Sequence, residues 1–307
     1  MSVITPCYKQ GHFLAKAVQS VLDQTMSYLE CIVVNDGSPD RTREIAARLM
    51  RKDPRVQYVE QPNQGVGAAR NCGLGKARGR FIQFLDADDI LAPDKLRLQI
   101  DALLGQERRA IAFSDYRFCF TDDRSPTVSA TEKTQPRFVM ERPLWDMAAR
   151  WETQLSIPIH CFLFDASLFR EGRITFDESL ETHEDWDCWM RILALDPILL
   201  HTPGELAVYR RHAQSMTSNQ AIMWSGFACA IRNQRRRLIH DPAVRELLLE
   251  KLVEIAGIYQ EARQEAGNAA VQHAVGVLRR ILPWPLQIWT RRLTVHAYLS
   301  LGIDVVW

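Results

Sequence analysis

The strongest constraint on this chain is an alternation in its first 115 residues. Short apolar runs of strand length recur at Val3-Ile4-Thr5, Cys31-Ile32-Val33-Val34, Val56-Gln57-Tyr58-Val59, Phe81-Ile82-Gln83-Phe84-Leu85 and Ile111-Ala112-Phe113. Helical patterns fill the gaps. Phe13, Leu14, Ala17, Val18, Val21 and Leu22 fall on one face at a 3.6-residue period. A second helix is expected after Ser38-Pro39-Asp40, with Ser38 as N-cap and Pro39 at the first helical position. A third is expected near Ala92-Pro93-Asp94, with Leu96, Ile100 and Leu103 on one face and Asp94 as its cap. Strands that alternate with helices this closely imply an α/β fold, a mostly parallel sheet covered on both faces. In such sheets ligands bind beyond the carboxyl ends of the strands.

The rest of the chain is patterned differently. Thr121 to Pro136 is polar and rich in Thr, Ser, Asp and Pro, which predicts a long surface loop. Beyond Asn219 the pattern is helical, with segments expected at 219–239, 243–265 and 268–282. The expected organisation is a catalytic domain over 1–217, divided near residue 115, followed by a helical C-terminal extension over 218–307.

Composition sets broad limits. Hydrophobic residues are 47% and charged residues 24% of 307, which is ordinary for a globular protein and excludes disorder. A net charge of +1 gives no reason to expect nucleic acid as a partner. Seven cysteines are scattered without zinc spacing. Met1-Ser2 leads straight into a strand, so the expectation is a fold that nothing precedes, with free thiols in a reducing cytosol. No run of about 18 uncharged apolar residues is present to cross a membrane.

Three polar clusters follow three of the strands: Thr5-Pro6-Cys7-Tyr8, Asn35-Asp36-Gly37-Ser38 and Asp86-Ala87-Asp88-Asp89. All three should meet along one edge of the sheet. Two carboxylates one residue apart at the end of a buried strand are costly unless a positive charge neutralises them. A divalent cation that prefers oxygen, Mn²⁺ or Mg²⁺, would do so and keep positions open for diphosphate oxygens. The blander alternative is that these acids cap the next helix.

The runs SVITPCYKQGHFLAKAVQSVLDQT, ECIVVNDGSPDRT, NQGVGAARNCGLGKARGRFIQFLDADD, FDESLETHEDWDCWMRI and YRRHAQSMT occur in an order that resembles the family-2 inverting glycosyltransferases. The resemblance covers roughly residues 1–217. It implies a GT-A fold, a nucleotide-binding Rossmann-like sheet, and a nucleotide-sugar donor of the UDP or dTDP type. By position in the motifs, Thr5, Pro6, Tyr8, Asp36, Arg70, Asp86 and Ala87 would contact the nucleotide. Asp36 would meet the base edge, Asp86 the ribose, and Asp88 the metal and diphosphate. Asp185 matches the catalytic base. Arg210, Arg211 and His212 resemble a flexible loop near the diphosphate. Two residues depart from the pattern: Asn35 stands where Asp is common, and Lys9 where Asn is frequent. Both bear on the preference for a donor base.

The chemistry agrees. An acceptor hydroxyl attacking an anomeric carbon must lose a proton, which a carboxylate can take. Charge developing on the departing diphosphate needs a fixed electrophile on the opposite face. Glu184 is the close rival of Asp185 for the base, Asp187 a weaker one, and both Glu184 and Asp185 could instead complement a helix dipole. Arg70 could equally form a structural ion pair. His160 and His201 are expected to be packed or hydrogen-bonded, and Arg232 to Arg237 a solvated face.

The tail interleaves Trp284, Trp289 and Trp307 with Arg279, Arg280, Arg291 and Arg292. Such composition suits either packing against the protein or a peripheral contact through 279–307 with the inner face of the membrane. The acceptor, whether glycan, lipid-linked or protein, has no signature, and bacterial surface polysaccharide synthesis follows only by analogy. Two other classes share the strand-end acids: a non-catalytic nucleotide-binding scaffold, and a nucleotidyltransferase, for which Lys9-Gln10-Gly11-His12 is a poor triphosphate loop.

Overall fold

The computed structural model describes residues 1–266, apart from 123, 124, 140, 213, 214, 216, 218, 219, 239 and 240. Contacts divide the chain into two units, Met1–Ser218 and Asn219–Trp307. The first four strands are β1 (Ser2–Cys7), β2 (Glu30–Asp36), β3 (Val56–Gln61) and β4 (Phe81–Phe84). They pair in parallel in the order β3-β2-β1-β4. Every residue of β1 and β4 is buried. That explains why these strands read as unbroken apolar runs rather than alternating ones. Helices α1 (Gly11–Leu22), α2 (Thr42–Lys52) and α3 (Val66–Lys76) make the crossovers. The apolar face expected on α1 is buried through Phe13, Leu14, Ala17, Val18 and Val21.

Beyond β4 the sheet becomes mixed. The elements that follow are β5 (Ile90–Leu91), α4 (Lys95–Leu104), β6 (Ala110–Asp122), β7 (Ser125–Thr134) and α5 (Pro143–Arg150). After them come β8 (Phe162–Asp165), α6 (Ser167–Arg170), α7 (Glu184–Leu193) and β9 (Ile198–Arg211). The sheet continues from β4 as β8-β6-β9-β5, with β7 paired to β6. β8 is antiparallel to both β4 and β6, while β6 and β9 are parallel. This is the α/β sheet with helices that the sequence predicts, all-parallel across β1 to β4 and mixed beyond.

Three local expectations are corrected. The polar stretch from Thr121 to Pro136 is not a loop: β6 extends to Asp122 and turns back as β7. A strand bonded on one side only needs no apolar run, so a polar, β-branched sequence suffices. The helix expected from Pro39 starts at Thr42, and Ser38 does not cap it. Asp40 does that work, accepting from the Thr42 amide (3.0 Å) and from the Gly11 amide (2.9 Å). Burial would raise the Asp40 carboxyl, but bonds from Ser38, Thr42 and the two amides hold it down at about 2. Asp94 stands at the start of α4, yet its carboxylate bonds Thr25 and Arg97 rather than the helix amides.

A second apolar cluster seats α7. Trp189 stacks on Phe164 with centroids 4.7 Å apart, and Phe84 meets Phe176 edge-on at 5.0 Å. Such aromatic pairs add specific geometry to the burial itself. Trp186 donates from Nε1 to the Met147 carbonyl of α5 (3.0 Å). These contacts fix the N-terminus of α7, where the candidate base stands.

The second unit contains α8 (Gln220–Arg237) and α9 (Pro242–Ala266), which pack against each other. Val244, Leu248, Leu252 and Ile255 are buried along one stripe of α9. In the basic run, Arg236 and Arg237 are exposed while Gln234 is buried. The helix expected at 268–282 and the tail 279–307 lie outside the described residues. Among the described residues, no helix is long and apolar enough to cross a membrane, and the cysteines form no disulfides.

Candidate active site

The ends of β1, β2 and β4 come together as their alignment requires. Cys7 pairs with Asn35, and Asp36 with Gln61. Lys9, in the left-handed region at φ 58, donates its amide to Ser38 Oγ (2.7 Å). This bond joins the loop after β1 to the loop after β2. Gly37 makes the turn possible: its φ is +64, and a Cβ there would stand 2.6 Å from the Asn63 amide nitrogen.

The three clusters differ in what they expose. Thr5 and Pro6 are buried in β1, whereas Tyr8 is 41% exposed, with the Lys9 ammonium 5.1 Å from its ring. Asp36 is buried and takes three donors: Gln61 Nε2 (2.8 Å), the Gln64 amide (3.0 Å) and the Gly65 amide (2.9 Å). It therefore braces the glycine-rich turn into α3. Asn35 is spent internally as well, donating to Tyr58 Oη (2.8 Å) and accepting from the Ser38 amide (2.9 Å).

The Asp86–Asp89 turn is the most constrained part of the site. Asp88 Oδ2 accepts from Gln10 Nε2 at 2.7 Å and lies 3.0 Å from His212 Nε2. Among the described residues nothing bonds its Oδ1. Asp89 is buried and accepts from the Arg210 amide (2.8 Å), with His160 Nδ1 2.9 Å from its other oxygen. Burial pushes the Asp89 carboxyl up to about 6, against the pull of His160. Behind the turn, the buried Lys95 Nζ donates to Gln83 Oε1 (2.6 Å) and Gln99 Oε1 (2.5 Å), and burial lowers its amine to about 7. Gln83 in turn donates to the His160 carbonyl (3.1 Å). A buried polar chain thus supports the acids from below. No motif in the sequence marks Gln83, Lys95 or Gln99.

Arg210 and Arg211 are not in a loop. They are the last two residues of β9. The Arg210 guanidinium is buried over the Phe13 ring at 4.8 Å and bonds the backbone carbonyl of Asp88. It therefore anchors the acidic turn. Arg211 is exposed, with its guanidinium 3.8 Å from the centre of the Phe118 ring. Of the three side chains, that of His212 reaches a site carboxylate.

Arg70 joins the strand-end acids to α7. Its Nη2 donates to Asp86 Oδ1 (2.8 Å) and its Nη1 to Glu184 Oε1. Burial works against the charge, yet Asp86, Glu184 and Asp185 hold Arg70 protonated. In this pair the guanidinium stays charged, and burial lifts the Glu184 carboxyl to about 7. Burial also raises the Asp185 carboxyl, opposed by Arg70 and His183. His183 opens α7 in the left-handed conformation, φ 59, and lies 3.4 Å from Glu152.

The rivals for the base now separate. Glu184 is 6% exposed and committed to Arg70. Asp187 is fully buried and held by two bonds from Arg191, 3.1 and 2.8 Å. Asp185 alone of the three remains partly open to solvent, in the first turn of α7. His160 is buried beside Asp89, and His201 bonds Asp115 (2.8 Å). Neither departs from the role expected for it.

The glycosyl transferase family 2 profile matches residues 2–169. An uncharacterized glycosyltransferase of Rickettsia prowazekii is 30% identical over 237 residues, 74% of this chain and 71% of the relative. The chain belongs to glycosyl transferase family 2, and its fold is that of the GT-A glycosyltransferases. Among solved structures, the mannosyltransferase PcManGT of Pyrobaculum calidifontis, in complex with GDP-Man and Mn²⁺, superposes with a TM-score of 0.58 at 18% identity. That match covers 97% of this chain and 84% of the other. S. aureus TarS 1-349 in complex with UDP-GlcNAc gives 0.56 at 17% identity, over 91% and 70%. Some relatives are far longer. The chain matches the Pasteurella multocida chondroitin synthase at 29% identity over 192 residues, 62% of this chain and 18% of that protein.

Proposed function

We propose that this glycosyltransferase moves a sugar, with inversion, from a UDP- or dTDP-type nucleotide sugar to an acceptor hydroxyl, using Mn²⁺ or Mg²⁺. Unit 1 would be the catalytic domain and unit 2 a helical extension. The observation that carries the reading is the Arg70 bridge, which brings the acids after β4 and the N-terminus of α7 to one place. The solved GT-A neighbours hold nucleotide sugars, and one holds Mn²⁺. Bacterial surface polysaccharide synthesis is the proposed setting, in keeping with the bacterial relatives and the chondroitin synthase match.

The residues suit a hard cation. Asp88 offers a free carboxylate oxygen and Asp86 lies beside it in the same turn. Among the described residues no three His, Cys, Asp or Glu side chains converge into a closed cage. A cation held by one or two carboxylates takes its remaining ligands from diphosphate and water, as Mg²⁺ does in phosphate sites. When bound, it would neutralise charge on the departing diphosphate.

The chain's own residues supply the other half. Asp185 accepts the proton of the acceptor hydroxyl as its oxygen bonds the anomeric carbon, while the bond from that carbon to the diphosphate oxygen breaks. One base on the face opposite the leaving group gives inversion in a single displacement. Arg70 holds Asp86 and Glu184, and Tyr8 offers an exposed ring beside the β1 end for the base to stack on. Removing the metal tests this reading. With EDTA, release of nucleoside diphosphate from the working donor should fall about a hundredfold or more, as several kcal/mol of charge stabilisation is lost, and return with Mn²⁺. Release undiminished in EDTA contradicts it.

A further inference from the structure

The family resemblance gives Gln10 no role, yet the fold fixes it and both of its neighbours. The residue before it, Lys9, is turned into the left-handed region and bonded to Ser38. The residue after it, Gly11, donates its amide to Asp40 Oδ2 (2.9 Å). The Gln10 carbonyl accepts the amides of Phe13 (2.9 Å) and Leu14 (3.2 Å) at the start of α1. Three consecutive residues are therefore pinned through their backbones. The Gln10 side chain caps nothing on its own helix. It crosses instead to Asp88 Oδ2 at 2.7 Å.

His212 approaches the same oxygen from the end of β9, at 3.0 Å, with its ring packed on Phe13 of α1 (4.7 Å). Two nitrogens thus meet at one carboxylate oxygen, from two elements that touch each other. Nitrogens on Oδ2 fix the rotation of the carboxylate about its last bond. Oδ1 is then presented in one direction.

We propose that Gln10 is the positioning residue for Asp88: its amide, opposite His212, holds Oδ2 and presents Oδ1 to the divalent cation. This rests on the functional reading above. Partners that orient a metal's ligands generally cost about 10- to 100-fold in metal affinity when removed. A merely structural Gln10 would change stability and leave metal affinity alone.

Gln10→Met removes the donor and keeps the length of the side chain; Gln10→Ala serves as the second variant. Mn²⁺ binding to the full chain is followed by paramagnetic resonance, titrating Mn²⁺ alone and with UDP or GDP present. The expected result is a Mn²⁺ dissociation constant weakened about 10- to 100-fold in both variants, with metal-free melting temperature and metal-free nucleotide affinity unchanged. Variants that bind Mn²⁺ as wild type does overturn the proposal alone. A wild type that binds no Mn²⁺ under either condition overturns the functional reading and this proposal with it.

Discussion

Replacing Asp185 by Asn should lower turnover by about 10²- to 10⁴-fold, the usual worth of a positioned general base, and leave donor binding intact. The substitution keeps the size of the side chain and its place in the first turn of α7, so the aromatic seat of Trp189 and Phe164 is undisturbed. A fall in kcat with an unchanged donor KM is the signature of an interaction made only in the transition state. The base must be ionised, so turnover should fall as the pH drops through its pKa. Burial places that pKa above the 3.8 of an ordinary aspartate. Glu184→Gln gives the contrast. Glu184 is bound to Arg70, so its loss should act through stability and through Asp86 rather than by removing the base. A wild-type kcat for Asp185→Asn would move the base elsewhere.

The second large effect is on folding. Arg70→Met should destabilise unit 1 by about 3–5 kcal/mol, the cost of leaving buried charge without its partner. Asp86 and Glu184 would both lose their cation. The pH dependence has a definite sign. Burial pushes the folded Glu184 carboxyl up to about 7, from an ordinary 4.5, against the pull of Arg70. Without Arg70 its folded pKa rises further, so the folded state holds the proton more tightly than the unfolded one. The Glu184 part of the deficit in Arg70→Met is therefore greatest above the variant's raised pKa and shrinks as pH falls towards 7. Adding Glu184→Gln to Arg70→Met should recover part of the loss, because the two residues share one interaction. Urea unfolding of the single and double variants at two pH values measures both. A deficit independent of pH would mean that Arg70 matters for packing alone.

How far the sequence reveals this site depends on the kind of interaction. The strands β1, β2 and β4 are legible because burial on both faces leaves mostly apolar runs. The acids that follow them stand out because charge at a buried strand end is costly. The β6–β7 hairpin is not legible, since polar β-branched residues serve a strand and a loop equally well. Partners distant in sequence are the main loss. Arg70 and Glu184 are 114 residues apart, and Gln10 and Asp88 are 78. Nothing local in either segment encodes those pairings. Arg210 shows another limit. The family resemblance implies a loop near the diphosphate, whereas Arg210 ends a strand and its guanidinium bonds the carbonyls of the acidic turn. The choice between Asp185, Glu184 and Asp187 likewise needs exposure and partners, which one turn of sequence does not contain.

In the proposed function the acids after β4 bind a nucleoside diphosphate through a divalent cation. Thermal unfolding of the full chain with UDP, dTDP, GDP, ADP and CDP, each with Mn²⁺ or with EDTA, tests it most directly. A ligand that binds only the folded state raises the melting temperature according to its affinity and concentration, by about 2.7 kcal/mol of stability at a hundred times Kd. Strong stabilisation by one of these diphosphates, UDP or dTDP first, is expected with Mn²⁺ and little with EDTA. No stabilisation by any of them, with or without metal, would contradict it.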